Sequence, residues 1–230
     1  MQFKEIFNHF LGLFYPNICA VCGQNLVIGE DIICLSCLQK VPRTRLHLEK
    51  DNVIEQRLWG KAKIERATAF YYFTKKSKFQ KILHHLKYNG NQEIGVVMGR
   101  YAAAELIESE DFTHFDYLVP VPLHPKKLQK RGYNQSLCIA QGLAEILNVE
   151  ISTENLVRVI ENPTQTKKSA YERWENTKGI FAVTNPQQFE NKSILLIDDV
   201  LTTGSTLIAC IEAIHDACNA KVSVFTLAVA

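Results

Sequence analysis

The chain has 230 residues, enough to bury a sizeable core and to form one domain plus a small appendage. Its 47% hydrophobic and 22% charged residues are typical of a soluble globular protein. The net charge of +2 is too small to indicate nucleic acid or a membrane by itself. No apolar run reaches the roughly 18 residues of a transmembrane helix, so we expect no membrane span.

The N-terminal segment, residues 1–16, is predicted to be an amphipathic helix rather than a signal peptide. Its large apolar side chains fall on one helical face: Ile6, Phe7, Phe10, Leu11 and Phe14. Polar residues interrupt the apolar run, and no small-residue cleavage site precedes Cys19. This helix either docks on the body of the protein or anchors it to a partner or a membrane surface. Without a signal peptide, we expect a cytoplasmic location.

Two Cys-x-x-Cys pairs follow this segment, with 11 residues between them: Cys19, Cys22, Cys34 and Cys37. Each pair directs two thiolates to one point, and two pairs complete the tetrahedral site typical of zinc. Four protein ligands leave no open coordination position, so the predicted zinc is structural. Two redox-active pairs are the alternative. The other cysteines have apolar neighbours and are expected to be buried: Cys138, Cys210 and Cys218.

Beyond the cysteines, residues 40–60 are polar and mixed, which is typical of a connector. We therefore expect the N-terminal helix and zinc module in residues 1–48. A connector is expected in residues 49–65, and the main domain in residues 66–230.

Strands and helices alternate through the main domain. Strands are predicted at residues 67–73, 117–121, 156–159, 194–197 and 222–229. Helices are predicted at residues 79–88, 93–107 and 134–147, and after residue 204. This alternation predicts an α/β fold with a mostly parallel sheet flanked by helices.

Residues 118–136, LVPVPLHPKKLQKRGYNQS, are predicted to be a strand that feeds a basic loop. The loop carries a cluster of basic side chains: His124, Lys126, Lys127, Lys130 and Arg131. At the carboxyl end of a strand, such a loop suits a pyrophosphate or another polyanion. Lys87 is a weaker candidate for the same role, because the helix dipole alone favours a lysine at a helix C-terminus.

Residues 194–206, ILLIDDVLTTGST, carry the strongest functional pattern. A buried strand at 194–197 would place Asp198 and Asp199 at its carboxyl end, where open α/β sheets bind ligands. Small and hydroxyl residues then lead into a helix: Thr202, Thr203, Gly204, Ser205 and Thr206. Their hydroxyl and amide donors at a helix N-terminus predict a phosphate cradle.

This segment resembles the motif that binds phosphoribosyl pyrophosphate (PRPP) in type I phosphoribosyltransferases. The resemblance implies that Asp198 and Asp199 act in catalysis by accepting hydrogen bonds from the ribose hydroxyls. It also implies Mg²⁺ with PRPP and a set of PRPP-binding residues in this segment: Val200, Leu201, Thr202, Thr203, Gly204, Ser205 and Thr206. By the same analogy, the segment after the second strand binds pyrophosphate through Pro122, Leu123 and His124, with Lys126 and Arg131 as charge partners.

The four-cysteine module, the VPVPLHP…RGYNQ segment and the IDDVLTTGST segment together resemble the ComF family of competence-associated proteins. The resemblance covers nearly the whole chain and implies a type I phosphoribosyltransferase-like fold and a role in DNA uptake. Residues 163–181 also match the family pattern: Thr164, Gln165, Arg173, Asn176, Gly179 and Phe181. In phosphoribosyltransferases this region is a mobile lid, which implies that role for Gln165, Arg173 and Asn176.

Three functions remain open at this point. The first is transfer of phosphoribose from PRPP to an unknown acceptor, with a motif carboxylate, Lys167 or Lys168 moving the proton. The second is binding of PRPP, another phosphorylated ribose or a nucleotide without transfer. The third is handling of single-stranded DNA with competence proteins, through the zinc module and the basic loop, where Tyr133 is the single aromatic residue.

Overall fold

A computed structural model describes residues 17–88, 90–159 and 179–230. The predicted N-terminal helix lies outside these residues. So do the predicted lid residues and the two lysines considered as proton carriers: Gln165, Arg173, Asn176, Lys167 and Lys168.

The described residues include seven strands. They are β1 (Ala67–Tyr72), β2 (Tyr117–Pro120), β3 (Glu150–Ile151), β4 (Leu156–Arg158), β5 (Phe181–Val183), β6 (Ser193–Leu201) and β7 (Lys221–Val229). Five of them form one sheet in the order β1-β7-β6-β2-β3, and every neighbouring pair is parallel. The other two, β4 and β5, form a separate antiparallel ribbon. The predicted mostly parallel sheet is therefore confirmed.

Eight α-helices accompany the strands in the described part of the chain. They are α1 (Leu35–Gln39), α2 (Val53–Leu58), α3 (Gln80–Tyr88), α4 (Glu93–Leu106), α5 (Pro125–Arg131), α6 (Gln135–Leu147), α7 (Pro186–Phe189) and α8 (Ser205–Ala217). Short 3-10 turns lie at Leu46–Leu48 and Glu110–Phe112. Within this part of the chain, none of the helices combines the length and the apolar character needed to cross a bilayer.

The sheet has a hydrophobic core on each face, as expected when helices cover both sides of parallel strands. Along β6 the side chains alternate, so that Leu195 and Ile197 join one core while Ile194 and Leu196 join the other. Helices α3, α4 and α6 contribute to the first core, and α2, α7 and α8 contribute to the second. The three cysteines predicted to pack in the interior are buried.

The cysteine module packs on the main domain. Cys19, Val21 and Ile33 of the module belong to the same buried cluster as Phe70 of β1 and Phe79 beside α3. The cluster is continuous, so the two parts share apolar surface.

Three predictions about individual elements were wrong. The basic segment expected as a loop forms helix α5, which begins with Pro125 at its first turn and ends at Gly132. The predicted strand at 194–197 extends to Leu201, because β7 continues to pair with it as far as Val229. The predicted connector contains α2, whose Ile54 and Leu58 are buried.

Candidate functional site

The site lies at the topological switch point of the sheet. Strand β2 leads through α6 to β3 on one side, whereas β6 leads through α8 to β7 on the other. The two strands are neighbours, and Pro120 of β2 pairs with Ile197 of β6. In open α/β sheets the diverging connections leave a crevice at this point, outside the carboxyl ends of the strands.

Asp198 lies on β6 in this crevice and is held by two hydrogen bonds. The Oγ of Ser136 donates to its Oδ1 at 3.0 Å, and the backbone N–H of Asp199 donates to the same oxygen at 2.8 Å. Burial, and then the negative charge of Asp199, raise the pKa of Asp198 from 3.8 to about 7. Asp198 therefore gains or loses its proton near neutral pH.

Asp199 is buried and forms an ion pair with α3. The Nζ of Lys87 lies 3.1 Å from its Oδ2, and both side chains are at least four-fifths buried. The nearby Tyr71 is fully buried, and among the described residues its hydroxyl has no hydrogen-bond partner. Burial, together with the charge of Asp199, raises the pKa of Tyr71. Its hydroxyl thus remains protonated and neutral.

The predicted phosphate cradle follows directly along the chain. Val200 and Leu201 complete β6, and Thr202 and Thr203 are exposed in the turn. Gly204, with φ 79°, is the N-cap of α8 and offers no side chain to its free amide groups. Ser205 and Thr206 form the first turn of α8, and the Oγ of Ser205 lies 3.0 Å from Oγ1 of Thr203. These groups can donate to an anion.

The segment after β2 lies beside this turn. The backbone N–H of Val121 donates to Ile197 at 2.9 Å, so the half-buried Pro122, Leu123 and His124 begin next to Asp198. His124 caps α5, since its Nδ1 accepts from the backbone N–H of Lys126 at 3.1 Å. This capping contact fixes the direction in which the basic helix leaves the sheet.

The two predicted charge partners lie at opposite ends of α5. Lys126 is exposed in its first turn. Arg131 is half-buried at its end, where it donates to Oε1 of Gln135 at 2.6 Å and lies over the ring of Tyr88. The structure therefore ties Arg131 to α3 and α6, while Lys126 faces solvent.

The four cysteines of the N-terminal module form one compact cluster. All four Sγ atoms lie within 4.8 Å of one another, so the cluster can hold a metal ion. Burial acts to raise the pKa of Cys19. Hydrogen bonds from backbone N–H groups, of which that of Cys34 has the largest effect, outweigh burial and lower the pKa to about 6. Outside the cluster, the Nζ of Lys78 lies 3.6 Å from Sγ of Cys37.

Three site residues were missed or underrated by the sequence analysis. Lys87 was only a weak candidate, and Ser136 and Tyr71 were not candidates at all. Ser136 had a usable signal, because it follows the N-cap Asn134 of a helix that starts at the carboxyl edge of the sheet. Tyr71 had none, since an aromatic strand residue is most often only a core residue.

The chain is similar to known phosphoribosyltransferases in sequence and in fold. Residues 134–229 match the phosphoribosyl transferase domain. Among solved structures, glutamine phosphoribosylpyrophosphate amidotransferase from B. subtilis is similar at 18% identity and a TM-score of 0.41. That match covers 59% of this chain and 26% of the other. The domain match and the parallel sheet define the chain as a phosphoribosyltransferase-like α/β protein.

The whole-chain relatives define the family. The chain is 30% identical over 212 residues to competence protein ComFC of Bacillus subtilis, covering 92% of this chain and 77% of the relative. It is 28% identical over 211 residues to DNA utilization protein YhgH of Escherichia coli K12, covering 85% of this chain and 89% of the relative. The chain belongs to the ComF family, as its motifs predicted.

Proposed function

We propose that the protein binds PRPP with Mg²⁺ and transfers its phosphoribosyl group to an acceptor. One observation carries the proposal: Asp198 and Asp199 lie at the switch-point crevice, directly before the hydroxyl-rich turn that opens α8. The carboxylates suit the ribose hydroxyls, and the turn suits the 5-phosphate. We assign the pyrophosphate to the segment 122–124, which begins beside Asp198, and to Arg131, which lies over the ring of Tyr88 next to Lys87.

The described residues fit Mg²⁺ only as a companion of the phosphates. Among them, the cysteine cluster is the only group of three or more metal-ligating side chains that converge on one point. Mg²⁺ commonly keeps several waters and binds through one or two carboxylates plus substrate phosphates. Asp198 or Asp199 would supply the protein oxygen. When bound, Mg²⁺ would neutralise the charge of the departing pyrophosphate.

In the proposed transfer, the bond between the ribose C1 and the pyrophosphate oxygen breaks, and pyrophosphate leaves with the electron pair. The acceptor's lone pair forms the new bond to C1, and the acceptor releases its proton to solvent or to a carboxylate of the site. Asp198 and Asp199 hold the sugar and stabilise positive charge that develops on it. The half-buried Arg131 would balance charge on the pyrophosphate.

We also propose that the four-cysteine cluster holds structural zinc. Tetrahedral zinc with bonds of about 2.3 Å to sulfur separates its ligands by about 3.8 Å. The Sγ atoms of Cys22 and Cys34 lie 3.8 Å apart. Backbone N–H groups of Val21 and Cys34 donate to Sγ of Cys19 at 3.4 and 3.3 Å, which favours a thiolate there.

A second candidate function is the handling of single-stranded DNA during uptake or utilization. The relatives named competence protein and DNA utilization protein favour it. Lys126, Lys127 and Lys130 are exposed on α5 and can contact phosphates. This role can coexist with PRPP binding, because it uses the exposed lysines of α5 rather than Asp198, Asp199 or the turn after β6. A DNA mobility shift that weakens steeply with salt would support it.

Replacement of both carboxylates tests the PRPP site. We expect Asp198→Asn with Asp199→Asn to abolish PRPP binding, measured by calorimetry with Mg²⁺, while thermal unfolding shows an intact fold. The exposed Asp216 on α8 provides the control, and Asp216→Asn should keep wild-type affinity. Unchanged affinity in the double variant would disprove the assignment. Pyrophosphate release with a panel of acceptors then separates transfer from binding alone.

A further inference from the structure

A cavity of about 700 Å³ lies where the cysteine module meets the main domain. It is lined by Ile18, Leu26 and Ile32 on the side of the module, and by α3 and the start of α4 on the other side. Leu26 and Ile32 pack partly against the first core, so their remaining surface faces the cavity. Sites of about 300–1,000 Å³ hold small ligands, and this cavity is therefore large enough for several apolar side chains.

A second group of apolar side chains lies beside the cavity on the module. Val27, Ile28 and Leu35 are exposed, and the exposure of Ile28 reaches 95%. The carboxylate of Glu30, which lines the cavity, holds this group in place. Its Oε2 accepts from the backbone N–H of Val27 at 3.0 Å, and its Oε1 accepts from that of Leu35 at 2.8 Å. Apolar side chains that are grouped and fixed in solvent typically mark an interaction surface.

The chain before the described residues leaves from the rim of this cavity. Asn17, the first described residue, lines it. The carbonyl oxygen of Asn17 accepts from the backbone N–H of Leu26 at 2.8 Å, and Ile18 pairs with Asn25, so this exit point is fixed. As a helix, residues 1–16 would span about 24 Å, at about 1.5 Å per residue. They would therefore remain next to the module.

Residues 1–16 carry an apolar face that needs a partner. On a helix their large apolar side chains share one side: Ile6, Phe7, Phe10, Leu11 and Phe14. Burying such a side chain is worth about 1.5–3 kcal/mol. The tether makes docking intramolecular, with an effective concentration of about millimolar. A site on the same copy is thus favoured over one on a second copy at lower concentration.

The charges beside the two apolar surfaces are opposite. Three acidic side chains line the cavity: Glu30, Asp31 and Glu93. Among the described residues that line it, Lys81 is the one lysine or arginine. In the segment, Lys4 borders the apolar face because it lies one heptad before Leu11, whereas Glu5 falls on the opposite side. The charge next to the apolar face of the segment therefore complements the charge of the cavity.

We propose that residues 1–16 form an amphipathic helix that docks its apolar face in this cavity and on Val27, Ile28 and Leu35. The helix then packs against both the cysteine module and α3, and it joins these two parts of the protein. This docking is independent of PRPP and of the proposed ribose site.

Site-specific photo-crosslinking tests the contact in the full chain. Phe10 is replaced by the photoreactive analogue p-benzoylphenylalanine, and mass spectrometry identifies the peptides that are joined after irradiation. We expect crosslinks to residues 17–35 and to α3. A mixture of unlabelled and nitrogen-15-labelled protein should show that these crosslinks form within one copy. The same analogue at Asn8, on the polar face, should give none of them.

Amide hydrogen exchange of matched variants locates the docking surface. Residues 1–16 should exchange slowly in the wild type. Ile18→Asp and Ile28→Asp should each remove this protection, because each places a charge on the apolar surface. Ile28 is almost fully exposed, so its replacement should leave the fold intact, which thermal unfolding checks. Val53 is exposed on α2, which packs on the other face of the sheet, and Val53→Asp should exchange as the wild type does.

Other partners of the segment would overturn the proposal. Crosslinks that form only between copies would indicate a dimer contact. Loss of the intramolecular crosslinks together with sedimentation on phosphatidylglycerol vesicles would indicate a membrane anchor. Fast exchange of residues 1–16 in the wild type, or protection that both Ile18→Asp and Ile28→Asp leave unchanged, would show that the segment does not dock here.

Discussion

At the level of single residues, Asp198 makes stability depend on pH. Its pKa is raised to about 7 by burial and by Asp199, so the folded protein holds this proton more tightly than the unfolded chain does. A raised carboxyl pKa lowers the free energy of unfolding as the pH rises from about 4 to about 7, with no further loss above that range. We expect Asp198→Asn to remove this loss.

Urea unfolding at about pH 5 and pH 8 measures this effect. The wild type should lose more stability across the interval than Asp198→Asn, and Asp216→Asn should behave as the wild type. If Asp198→Asn and the wild type showed the same pH dependence, the carboxyl would not titrate as described.

Lys87 balances the negative charge of the carboxylates of Asp198 and Asp199. It lies 3.1 Å from Asp199 and also acts to lower the pKa of Asp198. In Lys87→Met we expect the carboxyl titration to move to higher pH, and stability at pH 8 to fall by about 2 kcal/mol. Carbon-13 NMR of the aspartate carboxyls measures the titration, and denaturant unfolding measures the loss of stability. Lys63→Met is the charge-matched control, and an unmoved titration in Lys87→Met would exclude the pairing in solution.

At the level of elements, the turn between β6 and α8 depends on Gly204. Its φ of 79° is unfavourable for other residues, and an added Cβ would lie 3.2 Å from Cδ2 of Leu58. We expect Gly204→Ala to cost about 1–2 kcal/mol of stability and to weaken PRPP binding. Gly132→Ala is a matched control, since Gly132 has the same φ with open space around it. Thermal unfolding and calorimetry should show an equal or smaller stability loss and unchanged PRPP affinity for the control.

Long apolar runs made most of the sheet predictable. The strands near residues 67, 117 and 222 were found because buried parallel strands are nearly continuous apolar segments. The end of β6 was not, because two carboxylates interrupt the apolar pattern while pairing with β7 continues to Leu201. Only the neighbouring strand decides where such a strand ends.

The missed helices carried local signals that were overlooked. Helix α2 begins with a capping box formed by Asn52 and Glu55. Helix α5 has Pro125 at its first turn and Gly132 just after its end, a typical arrangement for helix boundaries.

The site was predictable where it is contiguous in sequence, as in residues 198–206. The contacts of Asp198 with Ser136 and of Asp199 with Lys87 join residues far apart in the chain, and the fold alone brings them together.

At the level of the whole molecule, the cysteine module is joined to the main domain by shared burial and by polar contacts that include Arg43 with Glu105 and Lys78 with Cys37. Cys19, Cys34 and Cys37 belong to the core cluster that also contains Phe70 and Phe79. Lys78, just before α3, contacts Sγ of Cys37. Helix α3 then carries Lys87 to Asp199, so one short segment contacts both the cysteine cluster and the carboxylate pair of the proposed ribose site.

This shared core predicts how the protein responds to metal loss. Zinc contributes about 10–16 kcal/mol to the folding of small zinc modules, so chelation should unfold the module. The core it shares with β1 and α3 would then be exposed, and we expect the main domain to melt at a lower temperature in the same step.

Calorimetry of the full chain with and without a chelator should show one shifted transition. Cys22→Ser, which changes the exposed ligand, should reproduce the shift, and Cys218→Ser should not. A main transition unmoved by both chelator and Cys22→Ser would mean that the module and the domain are energetically independent.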